Sequence, residues 1–224
     1  MSRSLYRSFA AAFGVLLSIA FQANGAFAAS LLPAPAVDVP ATSVQGPQTA
    51  VFAGGCFWGV EAVFRHVKGV SKAVSGYAGG SAKTADYERV STGSTGHAEA
   101  VEVTYDPAQV SYGELLRIFF SVAHDPTQLN RQGPDYGTQY RSAIFFTNDE
   151  QKRVVQAYIE QIGKAKAYPS PIVTQVVALP AFYPAEAYHQ NYLALHPTQP
   201  YIVMHDLPKL AQLKQQFPER YVGK

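Results

Sequence analysis

Cysteine occurs once in the 224 residues, at Cys56, and that scarcity excludes an internal disulfide framework and any multi-thiolate zinc or iron–sulfur site. Charge is also sparse. Only 15% of residues are charged, with 18 Lys and Arg against 16 Asp and Glu and no block of like sign, so a phosphate-binding surface is excluded and nucleic acid is not an expected partner. No two of the six histidines stand four residues apart, which removes the simplest metal-ligand spacing. The chain shows no internal repeat and no low-complexity tract, which excludes solenoid and collagen-like architectures.

The content that remains, 47% apolar and 12% aromatic, is that of an ordinary globular chain. Its longest uncharged apolar run, Ala10 to Phe21, is too short to span a bilayer, follows Arg3 and Arg7, and precedes the small residues of Ala26-Phe27-Ala28. Residues 1–28 are therefore expected to be a cleaved signal peptide, which directs the protein to the periplasm. Its removal takes two arginines and no acids and leaves 16 basic against 16 acidic residues. Residues 29–48 hold Pro33, Pro35, Pro40, Gly46 and Pro47 with a single charge, Asp38, and are expected to form a flexible tether. The folded catalytic domain is expected over 49–205, with 206–224 as a C-terminal helical tail.

From Thr49 the element types alternate. Strands are expected at 49–53, 72–77, 98–105, 143–146 and 172–179. Phe57, Val60, Phe64 and Val67 recur on one helix face closed by Gly69, Ser111 and Glu114 form a capping box before a helix over 115–123, and Thr147 with Glu150 caps a further helix. Pro184 and Pro208 each sit where a first helical turn would begin. Segments 79–96 and 124–141 read as long polar loops. Mixed strands and helices without repetition predict one α/β sandwich.

Cys56 falls where two glycines join the first strand to the first helix, so its sulfur is expected near the free N–H groups and positive dipole end of that helix, a setting that favours thiolate. Trp58, the only tryptophan, lies one residue round from the buried stripe that includes Phe57 and is a candidate wall for a pocket beside the sulfur. Period two along 98–105 puts Glu99 on the face of Val101, Val103 and Tyr105, where desolvation would raise its pKa and make it a general acid, while Glu102 falls on the other face. Tyr87, Tyr136 and Tyr140 lie in the two loops, where hydroxyls could converge over a site. A thiol peroxidase, a hydrolase using His97 or His124 as base, and a binding module without reactive thiol all fit this much.

Five ordered stretches narrow the choice: Gly54-Gly55-Cys56-Phe57-Trp58-Gly59, Gly76-Tyr77-Ala78-Gly79-Gly80, Gly96-His97-Ala98-Glu99-Ala100-Val101, His124-Asp125-Pro126, and Gly133-Pro134-Asp135-Tyr136-Gly137-Thr138-Gln139-Tyr140-Arg141-Ser142. In that order they resemble the peptide methionine sulfoxide reductase A family, over about residues 49–205. The resemblance implies an α/β (α+β) two-layer sandwich of ferredoxin-like type, a mixed sheet with helices. It implies reduction of methionine-S-sulfoxide, free or in oxidised proteins, through a cysteine sulfenic acid. By the same resemblance Cys56 is the nucleophile, Glu99 the acid, Tyr87 and Tyr140 the sulfoxide-binding hydroxyls, Asp135 a supporting carboxyl, and Phe57 and Trp58 the receptors of the substrate's methyl group. No cofactor and no metal are expected, the reductant is an external thiol such as a thioredoxin-like protein, and the protein is expected to be a monomer. The chain departs from many members in carrying no recycling cysteine after the catalytic span.

Overall fold

A computed structural model of the chain describes residues 31–40 and 46–223. Residues 1–28, expected to be a signal peptide, lie outside the described residues. Eight strands and six α-helices follow in chain order among them: β1 (Gln48–Gly54), α1 (Phe57–Arg65), β2 (Val70–Ala78), α2 (Tyr87–Val90), β3 (Ala98–Tyr105), α3 (Tyr112–Ile118), β4 (Arg131–Gln132), β5 (Asp135–Tyr136), β6 (Ser142–Phe146), α4 (Asp149–Lys164), β7 (Gln175–Ala178), β8 (Phe182–Pro184), α5 (Tyr192–Leu195) and α6 (Leu207–Gln216).

Six strands form one sheet in the order β7-β6-β1-β3-β2-β8, and β4 pairs with β5 in a separate two-residue ribbon. The four central strands are antiparallel throughout, and only the edge pair β6–β7 runs parallel. Because β3 inserts between β1 and β2, the β1–α1–β2 unit is split, which is the ferredoxin-like arrangement expected. Every side chain from Ala50 to Ala53 is buried, so β1 is covered on both faces. Ala50 and Phe52 point into the large core shared with α1, α3 and α4, and Phe52 stacks on Phe64 and Phe119 at centroid distances of 4.8 and 5.1 Å. Val51 and Ala53 meet a smaller layer closed by Leu179 and Phe182.

Local rules account for most boundaries. The Ser111 hydroxyl accepts the Glu114 amide at 3.1 Å and starts α3 as expected. That helix runs only to Ile118, and 119–123 continue as a wider π-turn. Helix α4 is capped by Asn148, whose side chain accepts the Gln151 amide, and not by Thr147, because asparagine one position on has the shorter reach to that N–H. Pro184 ends β8 on the sheet edge, where a missing N–H is tolerated, while Pro208 does occupy the first turn of α6. The strand expected over 172–179 is confined to Gln175–Ala178.

The flexible tether expected over 29–48 is corrected by two findings. Gln48 already belongs to β1, and residues 31–40 are held against α3 and α4 by polar anchors that hydrophobic periodicity does not register. Leu32 is buried and its carbonyl accepts Arg117 Nε at 2.7 Å, the Pro33 carbonyl accepts the Tyr158 hydroxyl at 3.0 Å, and Gln161 bonds both Ala34 and Ala36. Asp38 accepts the Ser111 hydroxyl and the Gly113 amide, which puts a carboxylate on the positive end of α3. The expected tail is equally integral, since Leu213 and Phe217 are buried in the main core and Tyr221 bridges to Val67. Asp38→Ala should therefore lower the unfolding free energy by about 1–2 kcal/mol, as loss of a helix cap does. Urea unfolding measures it, and unchanged stability would show that this segment lies on the surface without holding it.

Candidate active site

The site is assembled where β1 gives way to α1. Gly55 makes the reversal at φ +89°, and a side chain there would collide with Gln132, so only glycine fits. Cys56 is thereby the N-cap residue of α1, at φ −50° and ψ 122°, with its side chain beside the first-turn amides. One of those amides, Phe57 N–H, donates to Oε2 of Glu99 at 3.0 Å. The acid on β3 is thus tied directly to the start of the helix that carries the thiol.

Glu99 is 2% exposed, and burial pushes its carboxyl up to about 8, a rise opposed by the Phe57 amide and helped by Asp135. It is neutral at pH 7. Cys56 departs from expectation. Burial raises its thiol well above the usual range, Asp206 and, once ionised above about pH 8, Glu99 push the same way, and the Trp58 amide and Lys209 only partly oppose them. A helix N-terminus does favour thiolate here, but desolvation and two acids outweigh it. The resting sulfur is a thiol.

A cavity of about 200 Å³ is lined by Cys56, Phe57, Trp58, Tyr87, Glu99, Asp135, Tyr140 and Tyr201. The seven residues that the resemblance points to are brought together, and Tyr201 joins them. Tyr136 is not among them and stands exposed. Tyr87 begins the short helix α2, held by its amide on Glu186, which also accepts the Tyr77 hydroxyl at 2.8 Å. Tyr140 ends the short turn 138–140. Burial raises the pKa of both tyrosines, with Glu99 as the next cause, so both hydroxyls stay protonated as donors. The Tyr201 hydroxyl is already committed to Asp135.

Trp58 is fixed from three sides. Its indole N–H donates to His189 Nδ1 at 3.1 Å, its ring stacks on Tyr192 at 3.8 Å and 8°, and Tyr201 meets it edge-on at 6.0 Å. Tyr201, His189 and Tyr192 were not legible as site residues, because each comes from the C-terminal third and carries no local signature. The one available signal was aromatic density, with Tyr188, Tyr192 and Tyr201 falling close together in a proline-punctuated segment. His97 bonds the Gly80 amide and faces the Ser81 carbonyl, and His124 lies 2.7 Å from Ser142 with burial pushing it down to about 4. Neither histidine is paired with Cys56, which removes the hydrolase dyad.

A lone buried thiol facing a protonated carboxyl and two hydroxyl donors over an aromatic floor is the equipment of a thiol-dependent oxidoreductase acting on a small oxygen-bearing group. Comparison with known proteins names the family. The peptide methionine sulfoxide reductase profile matches residues 48–221. Over 182 residues the chain is 65% identical to peptide methionine sulfoxide reductase MsrA 2 of Mesorhizobium japonicum, covering 81% of this chain and 93% of that one. It is 56% identical over 192 residues to the Synechocystis protein of the same name, covering 85% and 90%. Among solved structures, reduced Mxr1 of Saccharomyces cerevisiae superposes with TM-score 0.62 at 34% identity over 76% of this chain and 94% of that one. Methionine sulfoxide reductase A of Corynebacterium diphtheriae gives 0.59 at 37% identity over 70% and 78%. The chain belongs to the peptide methionine sulfoxide reductase family.

The position of Glu99 sets a pH dependence. With Glu99 as the proton donor that the resemblance implies, sulfoxide reduction should fall as pH rises through about 8. Glu99→Gln should slow single-turnover reduction by about two to four orders of magnitude and abolish that alkaline limb. Glu102→Gln, half-buried on the opposite face of β3, should leave rate and profile unchanged. Stopped-flow rates from pH 6 to 9 check all three, and a near-normal rate in Glu99→Gln would remove the acid assignment.

Proposed function

We propose that this enzyme reduces methionine-S-sulfoxide, free or in oxidised proteins, with Cys56 as nucleophile and Glu99 as acid. The observation that carries the reading is a carboxyl neutral up to about pH 8, docked on the Phe57 amide and opening into the same cavity as the only thiol. The substrate's methyl group packs against Phe57 and Trp58, and its oxygen receives the Tyr87 and Tyr140 hydroxyls. The Cys56 sulfur attacks the sulfoxide sulfur as Glu99 passes its proton to the oxygen, and the thiol proton is returned to the Glu99 carboxylate. Transfer of the hydroxyl to Cys56 then releases methionine. The substrate sulfur gains two electrons, the cysteine sulfur loses two, and Cys56 is left as sulfenic acid.

Restoration uses two external thiol equivalents. The first displaces water from the sulfenic acid and forms a mixed disulfide, and the second displaces Cys56 as thiol. A thioredoxin-like protein supplies both sulfurs at once. Asp135 acts through Tyr201, whose ring it anchors against Trp58. The short apolar run behind Arg3 and Arg7 supports export, and the active form is a periplasmic monomer cleaved near Ala29.

With a peptide carrying the S sulfoxide and no reductant, one methionine per protein should be released and turnover should stop. Mass spectrometry should then show one added oxygen on Cys56 and a sulfenic-acid trap adduct, both reversed by dithiothreitol. A second methionine without added thiol, or an unmodified Cys56 after turnover, overturns the mechanism. Trp58→Ala should raise KM, since the methyl group loses its aromatic cover. Protein recovered from the periplasm should begin near Ala29 and elute as a monomer, whereas a membrane-bound form retaining Met1 would refute export.

A further inference from the structure

Asp206 is the most deeply buried acid outside the cavity lining. It ends the π-turn Ile202–Asp206, has no exposed surface, and lies beyond the residues expected to be catalytic. Its Oδ1 bonds Lys209 Nζ at 3.1 Å, and its Oδ2 has no hydrogen-bond partner. The carboxylate sits in a notch at Gly59, the third residue of α1, where a Cβ would collide with Oδ1 and stand 2.7 Å from Lys209 Nζ. Glycine there serves close approach and not a special φ, because a Cβ would force the Asp206 and Lys209 side chains away from the helix's first turn. A buried, half-satisfied carboxylate is costly, and its retention beside the helix that presents the thiol calls for a role.

We propose that Asp206, held by Lys209 in the Gly59 notch, is a positioning residue that sets the reactivity of Cys56 from behind α1 without touching substrate. This rests on Cys56 being the nucleophile. Both charges act on the sulfur through low-dielectric protein. Asp206 opposes loss of the thiol proton and Lys209 favours it. The other titratable groups facing the sulfur are Glu99 from β3, Tyr87 from α2, Tyr140 from the turn 138–140 and Tyr201 from the C-terminal segment. Asp206 itself also feels His205 and Asp135. None of these lies on α6, which carries Lys209, although Asp206 also acts on Tyr201 at the cavity wall. The consequence is a resting enzyme whose cysteine keeps its proton and resists adventitious oxidants.

Because the protein has one cysteine, the pH dependence of iodoacetamide alkylation reports Cys56 alone and needs no sulfoxide. Asp206→Asn should move the alkylation midpoint down by about one pH unit, Lys209→Met should move it up by a similar amount, and the double variant should lie close to the native protein. Circular dichroism establishes that each variant is folded. Midpoints unchanged in folded variants, even with lowered Tm, would reduce the pair to a structural role and overturn the proposal. If Asp206→Asn does not fold, Lys209→Met decides alone, an upward shift supporting the proposal and no shift refuting it. Loss of sulfoxide reduction with the alkylation shifts intact would instead count against the proposed function.

Discussion

The hydrogen bond from Phe57 N–H to the Glu99 carboxyl is the interaction on which the rest of the site depends. It uses one of the first-turn amides that an α-helix cannot satisfy internally, and it gives a buried acid the polar partner that burial demands. Each end imposes a constraint on the fold. The helix must begin at Phe57, which requires the left-handed turn at Gly55, and β3 must pass beneath it in a register that turns Glu99 inward, opposite Tyr77. The ferredoxin-like order meets the second requirement by placing β3 between the two strands that α1 connects. Sheet topology and acid–thiol proximity are one arrangement.

Around that bond the structure builds rigidity from aromatic rings and not from charge pairs. Trp58 is held by a stacked tyrosine, an edge-on tyrosine and a histidine ring nitrogen, so its face is fixed before any ligand arrives. His189 serves this only as a neutral imidazole accepting the indole N–H, and burial lowers its pKa and keeps it so. Glu186 locks Tyr87 and Tyr77 together from the same C-terminal segment. Preorganised donors and a fixed apolar wall leave little to rearrange when an oxygen of partial negative charge enters.

Residues with a strong local signal were legible in the sequence. Strand 98–105 coincides with β3 because Val101 to Tyr105 alternates, and the face of Glu99 followed from parity. Cys56 at a helix start followed from the glycines and the stripe that begins at Phe57. The protonation of Cys56 was not legible, because it depends first on how deeply the fold buries the sulfur, then on Glu99 and on Asp206, which lies far along the chain and is carried by no motif. Residues 31–40 were read as a tether since their anchors are backbone carbonyls and one aspartate, which composition does not weigh. Tyr201 and His189 were missed for the same reason: their value lies in what they touch, and sequence periodicity reports only which way a side chain faces.

A lone thiol in the wall of the cavity it shares with Glu99 also orders the chemistry in time. Cys56 is only 8% exposed, and no second cysteine exists to carry its oxidation state to the surface. In the proposed mechanism the thiol that restores the sulfenic acid must therefore enter the same cavity, through the space that the methionine side chain has just left. Product release precedes recycling by exclusion of volume, and sulfoxide and reductant bind alternately and not together. The neutral resting state fits the same sequence. In the proposed mechanism, a thiol that keeps its proton until an acceptor oxygen is lodged against Glu99 and the two tyrosines is spared reaction with whatever else enters the cavity, and attack is coupled to the presence of the group that Glu99 would protonate.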